Sequence, residues 1–162
     1  MTLTSLTSAG MDNEGSIPNG VAVLGYAGLL PPALLLVADR LWANLHEAGA
    51  GLVLVPLYAG LIFSFLGGCW WAFALKEDRP SISLLVLGVA PALASFGLIW
   101  VSVALGTVLA TVALAGLIAV SPLADALIGV RGLVPPWWLR FRFRLSMGLA
   151  ALTALSIYPA MV

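Results

Sequence analysis

Long stretches without a single charged residue constrain this chain more than any motif in it. After Asp12 and Glu14 near the start, acidic and basic side chains fall at Asp39-Arg40, at Lys76-Glu77-Asp78-Arg79, and from Asp125 through Arg131 to Arg144, with Glu47 beside the lone His46. Between them run the uncharged, mostly apolar blocks 15–38, 48–75, 80–124 and 145–162. A helix crosses the roughly 30 Å of bilayer hydrocarbon with about 20 apolar residues. The third block holds 45 residues, which is too long for one such helix and suits two joined by a tight turn, with Gly106 near the middle as its natural place. The reading is an all-α integral membrane bundle of five transmembrane helices at 21–38, 49–75, 82–105, 107–124 and 145–162. It occupies residues 20–162 behind a flexible leader, 1–19.

Composition agrees. Hydrophobic residues make up 62% of the chain and charged residues only 9%, against about 25% charged in an average soluble domain. A soluble fold would expose large apolar patches; lipid removes that problem. Seven basic and seven acidic residues cancel, leaving no basic face to neutralise phosphates, so nucleic acid is not an expected partner. The leader has no Lys or Arg, whereas a secretory signal carries a basic n-region and a transit peptide carries arginines; insertion is expected to rely on the first helix.

Orientation follows from where the cations fall. With five spans, Lys76, Arg79, Arg131, Arg140, Arg142 and Arg144 share one side and Arg40 alone lies on the other. Cytoplasmic loops carry the excess of Lys and Arg, which puts the N-terminus in the cytoplasm and the C-terminus across the membrane.

Helices in lipid associate where small residues let backbones approach. The second span offers Gly60, Ser64, Gly68 and Ala72 at intervals of four, with Gly67 beside Gly68, and the fourth offers Thr107, Thr111, Ala115 and Ala119. These are the expected packing or partner seams, with the second helix at the centre of the bundle. Pro31-Pro32, Pro56 and Pro91 interrupt three spans, and each removes a backbone donor; a neighbouring helix, a hydroxyl or water must satisfy the freed carbonyls, because lipid cannot.

Trp42, Trp70, Trp71, Trp100, Trp137 and Trp138 lie near expected interfaces, where tryptophan concentrates. From Pro135 to Arg144 apolar and basic residues alternate, so Trp137, Trp138, Arg140, Arg142 and Arg144 are expected as lipid-headgroup anchors, the arginines reaching phosphates by snorkelling.

Catalytic chemistry finds little to work with. His46 is the only histidine and Cys69 the only cysteine, so neither a histidine metal cluster nor a cysteine set is available. Phosphate-loop and nucleophile-elbow patterns are missing. The expectation is no enzyme, no cofactor and no metal. Asp125, closing the fourth span, is expected to pair with one of the following arginines. Were there an intramembrane pocket, Tyr58, Trp70, Trp71 and Asp125 are its expected lining.

Two blocks carry a resemblance. Leu24-Gly25-Tyr26-Ala27-Gly28-Leu29-Leu30-Pro31, and Tyr58 to Trp71 with Ser64-Phe65-Leu66-Gly67-Gly68 ahead of its tryptophans, resemble the family related to mitochondrial transmembrane protein 69. A Trp-(Trp/Tyr)-Leu-Arg-x-Arg stretch, here Trp137 to Arg142, also fits. The resemblance implies a bacterial or mitochondrial membrane protein without an assigned activity; at Trp70 this chain is aromatic where that family often carries a polar or basic residue.

The expected function is therefore a non-catalytic protein of the bacterial inner membrane, with the mitochondrial inner membrane as the weaker placement. It would pack as an accessory subunit or assembly factor against another integral membrane protein, or against its own copies. The alternative is a small-molecule or lipid binder or carrier with an intramembrane cavity, similar in outline to the tryptophan-rich sensory proteins.

Overall fold

A computed structural model describes residues 16–42 and 50–158, and within them all regular structure is helical. We label the helices α1 (Asn19–Ala27), α2 (Leu30–Trp42), α3 (Ala50–Ala74), α4 (Ile82–Leu105), α5 (Thr107–Val120), α6 (Pro122–Val130) and α7 (Trp138–Leu155). Residues 1–15 of the expected leader, the Trp42 side chain, His46, Glu47 and the end of the expected fifth span lie outside the described residues.

α1 and α2 form one rod, as do α5 and α6, so the seven helices make five rods. Four of these, Asn19–Leu41, α3, α4 and Thr107–Val130, are long and apolar enough to cross a membrane. The fifth, α7, has 18 residues and carries Arg140, Arg142 and Arg144 in its first two turns.

The rods alternate in direction. Gly106, at φ 105°, makes the turn between α4 and α5; Gly60 of α3 faces both Ser95 and Leu114, positions on either side of that turn. At one end of the bundle Arg131 meets Glu77 across 3.1 Å and Lys76 donates to the Leu133 carbonyl at 3.3 Å, joining the loop after α3 to the loop after α6. At the other end Asp39 accepts from the Gly51 N–H at 2.7 Å, and the Arg40 guanidinium lies 4.8 Å over the Tyr158 ring. The first rod and α7 run parallel, since Tyr26 packs on Phe141 while Arg40 reaches Tyr158.

Local chemistry explains the breaks. The first rod turns at Gly28-Leu29, which places Pro31 and Pro32 in the opening turn of α2, where a missing N–H is tolerated. In an unbroken helix the amide of residue 32 would serve the Gly28 carbonyl; here the Tyr58 hydroxyl donates to it at 3.0 Å, the substitution by a neighbouring helix that lipid requires. Ser121 interrupts the fourth rod, and Pro122 opens α6 at its first position.

α3 packs against each of the other rods. Its closest approach is to α4: a Cβ on Gly67 would collide with the Gly88 carbonyl oxygen, and a Cβ on Gly88 would lie 3.0 Å from the Trp71 backbone nitrogen. Around this seam Ala59, Phe63, Leu66, Trp70, Leu84, Leu114, Ile118 and Leu149 form the buried core. Large side chains such as Leu61, Phe65, Phe96, Trp100 and Val103 face outward, as lipid-facing residues do.

Three boundaries differ from the sequence expectation by several residues. The first rod runs on through Asp39 and Arg40 to Trp42 instead of ending at 38, the fourth rod continues past Asp125 to Val130, and α7 begins at Trp138 instead of 145. The expected twenty-residue loop shrinks to 131–137 because Asp125 and Arg142, which read as loop charges, neutralise one another inside the bundle.

Candidate functional site

Three helices bring a charged cluster together in the interior. α6 supplies Asp125 in its first turn, where the helix dipole favours a carboxylate. α3 supplies Trp70. α7 supplies Trp138, Arg142 and Ser146, four residues apart and therefore on one helical face. Asp125 is fully buried and Arg142 only 4% exposed.

The indole N–H groups of Trp70 and Trp138 both donate to Asp125 Oδ1, at 3.0 and 2.7 Å. The other oxygen, Oδ2, accepts from Arg142 Nε at 3.4 Å. Arg142 Nη2 lies 3.4 Å from Ser146 Oγ, which is 3.1 Å from Ser121 Oγ; Ser121 in turn donates to the Ile118 carbonyl at 2.8 Å. Phe73 meets the Trp138 ring edge-on at 5.0 Å. Among the described residues every buried side-chain polar atom has a hydrogen-bond partner. A buried ion pair is tolerated only when such bonds satisfy its remaining donors and acceptors, and here they run from α3 through α6 to α7. The cluster ties three rods together at the end where the cationic loops meet.

Asp125 thus finds an arginine, but the partner lies within α7 and not in a loop. Arg142 and Trp138 are corrections to the headgroup-anchor expectation, because both turn inward to the carboxylate. Arg140 and Arg144 instead border a surface cleft between the fourth rod and α7, and Trp137 packs on Trp138 and Phe141.

Tyr58, Trp70, Trp71 and Asp125 do not converge on one cavity. Trp70 and Asp125 touch; Tyr58 is bonded to the break in the first rod, and Trp71 faces outward, 39% exposed.

Of the small residues on α3, Gly60 lies under Ser95 and Leu114 and Gly67 abuts α4, whereas Gly68 has nothing over it and Ala72 is exposed. Ser64 is half-buried. On α5, Thr111 and Ala115 are buried, and Thr107 is half-buried with its hydroxyl bonded to Ser102. Ser95 donates to the Gly60 carbonyl at 3.0 Å, reinforcing the α3–α4 seam.

Two lateral clefts complete the molecule. One, of about 590 Å³, lies between α3, α4 and α5 along Pro56, Ser64, Ser102 and Thr107. The other, of about 480 Å³, lies between the first rod, α3 and α7, and its wall includes Cys69, Arg142 and Ser146.

Sequence reading missed Arg142, Trp138, Ser146 and Ser121 as interior polar groups. The signal was available in the spacing Trp138, Arg142, Ser146, Leu149, Thr153, a stripe at helical intervals that runs through the arginines.

A family model described as "Protein of unknown function (DUF3429)" matches residues 17–158, and the chain belongs to that family. No curated protein and no solved structure matches it.

Proposed function

We propose that this DUF3429 member is a non-catalytic accessory subunit or assembly factor that packs against another integral membrane protein. It would lie in a bacterial inner membrane, cross it five times and keep its N-terminus in the cytoplasm. The observation that carries this reading is the division of labour between adjacent glycines. Gly67 is consumed by α4, while Gly68, about 100° further round the helix, has nothing over it and has Ala72 exposed one turn away. Small residues in that arrangement let a second helix approach the backbone closely. The buried charges support the same reading, since Asp125 and Arg142 are engaged in holding α3, α6 and α7 together.

The alternating rods and the collection of Lys76, Arg79, Arg131 and the α7 arginines at one end favour this orientation under the positive-inside bias. The blocks around Ser64-Phe65-Leu66-Gly67-Gly68 and Trp137 to Arg142 favour kinship with the relatives of mitochondrial transmembrane protein 69.

A photo-crosslinker replacing Ala72 in native membranes tests the proposal. The expected result is one heteromeric adduct of defined mass, lost when Gly68→Leu is added although the variant keeps its folded far-UV signal. Adducts between identical chains alone, or none, count against it.

A second reading, a binder of small amphiphiles, is favoured by the 480 Å³ cleft, which reaches the cationic Arg142. An added long-chain carboxylate should then protect Cys69 from maleimide; unchanged labelling rejects that alternative.

A further inference from the structure

Building on the reading of this chain as a binder of small amphiphiles, we propose that the cleft between the first rod, α3 and α7 selects a neutral long-chain carbonyl compound, such as a ketone or quinone, whose carbonyl oxygen accepts a hydrogen bond from Arg142 Nη1. The cleft has a volume of about 480 Å³, within the range of about 300–1,000 Å³ usual for ligand sites.

Arg142 is only 4% exposed, yet it forms part of the cleft wall. Its Nε donates to Asp125 and its Nη2 to Ser146, whereas among the described residues its Nη1 has no hydrogen-bond partner. Buried side-chain polar atoms among those residues are all bonded. Nη1 therefore opens to space, and this cleft is where Arg142 meets it.

The bonding of the neighbours decides what the cleft offers a ligand. Asp125 Oδ1 accepts from two indoles and Oδ2 from Arg142. Ser121 gives its proton to the Ile118 carbonyl, so in its contact with Ser121 the Ser146 hydroxyl is the donor, while its oxygen receives Arg142 Nη2. Every acceptor and hydroxyl proton of the cluster is thus engaged, and the N–H groups of Nη1 remain. A ligand group meeting them must be an acceptor.

Charge then chooses among acceptors. Asp125 already balances Arg142, so a carboxylate or phosphate would bring a second anion into the interior without a counter-charge of its own, and burial of an unpaired charge is strongly disfavoured. A carbonyl oxygen accepts the same bond without that penalty. This excludes a bilayer phospholipid as the selected ligand and favours a free carbonyl compound. The walls suit its chain: Leu145 and Leu149 follow Arg142 along α7 for about 10 Å, with Leu29, Ile62 and Leu66 facing them across the cleft.

A long-chain methyl ketone carrying a mid-chain diazirine, irradiated with the full chain in dodecyl maltoside, tests this. Wild type should form an adduct at Ile62, Leu145 or Leu149. Unlabelled ketone should suppress the adduct at concentrations about tenfold below those needed with the fatty acid or the alkane of equal length, the order that one charge-assisted hydrogen bond supplies. In Asp125→Asn the guanidinium loses its counter-charge, and the fatty acid should then compete better than the ketone; a merely structural role for the cluster would leave their order unchanged. Ile62→Phe fills the cleft with the cluster intact and should abolish the adduct at Leu145 and Leu149, which keeps the question decidable if Asp125→Asn does not fold. Leu57→Phe, on the cleft between α3, α4 and α5, should behave as wild type does. A wild type that forms no adduct at these positions removes both the amphiphile reading and the proposal. An adduct suppressed equally well by the fatty acid or the alkane leaves a binder of amphiphiles standing and overturns the choice of a neutral carbonyl. Phosphatidylcholine competing as well as the ketone overturns it too, because the site would then belong to bilayer lipid.

Discussion

Asp125 and Arg142, 17 positions apart in sequence, meet inside the bundle with the Arg142 Nε 3.4 Å from Asp125 Oδ2. Each is a charge that lipid-facing helices exclude, and each is acceptable here because the other is present and because Trp70, Trp138 and Ser146 complete the hydrogen bonding. Removing one partner should therefore do more harm than removing both. We expect Asp125→Ala to cost about 3–5 kcal/mol, leaving a buried guanidinium without its counter-charge, while Asp125→Leu combined with Arg142→Met recovers most of that loss. Equilibrium unfolding in mixed detergent micelles measures both; a double variant no more stable than Asp125→Ala would show that the pair is not the source of the effect.

Trp70 and Trp138 share a single acceptor oxygen. A hydrogen bond to a charged group contributes about 1.5–3 kcal/mol, so Trp70→Phe and Trp138→Phe should each destabilise by that order, with ring packing partly preserved. Because both bonds end on Asp125 Oδ1, their losses should not add, and a double-mutant cycle should return a coupling of about 0.5–3 kcal/mol. Strict additivity would place the two indoles in independent environments.

Gly67 and Gly68 should respond in opposite ways to the same substitution. Gly67→Ala drives a methyl into the Gly88 carbonyl and should cost about 1–3 kcal/mol as the helices separate. Gly68→Ala meets open space and should be neutral or stabilise the isolated chain by about 0.5–1 kcal/mol through helix propensity. Thermal unfolding of the two purified variants side by side decides it.

Gly106 holds φ 105° and ψ 146° between α4 and α5, a region that side chains strongly disfavour. Space is available around it, so any penalty is conformational: Gly106→Ala should lower stability by about 1–3 kcal/mol. An unchanged midpoint would mean that the turn can relax into another geometry.

Topology can be checked by thiol labelling in a Cys69→Ser background. Cysteines replacing Asp78 and Gly132 occupy the two loops joined through Arg131 and Glu77, and should be labelled from the same side of the membrane. A cysteine replacing Asn44 should be labelled only from the other. Reaction of all three from one side would contradict the alternation of the rods across a bilayer.

Most of the architecture follows from where charges are missing. Lys76 to Arg79 close α3 as expected, the uncharged 45-residue block resolves into two helices, and Gly106 makes their turn. The same rule failed at the end of the first rod, which carries Asp39 and Arg40 within its last turn, at the fourth rod and at α7. Asp125 and Arg142 were read as marks of a loop, because a lone charge does end a span, yet a charge with a partner does not. Spacing also placed Gly60 and Gly68 on one stripe, but their environments differ: Gly60 is covered by Ser95 and Leu114, and Gly68 is open. Periodicity identifies a helix face without saying what lies opposite.

Alone, then, the sequence determined that this chain is helical and apolar enough for a membrane, and where most of its helices start and stop. Those properties are local, set by the hydropathy of consecutive residues and by the backbone demands of glycine and proline. Which polar residues turn inward was decided by tertiary structure. The Asp125 carboxylate, the Arg142 guanidinium and two indoles find one another only when α3, α6 and α7 come together, and the burial of each is acceptable only in the presence of the rest.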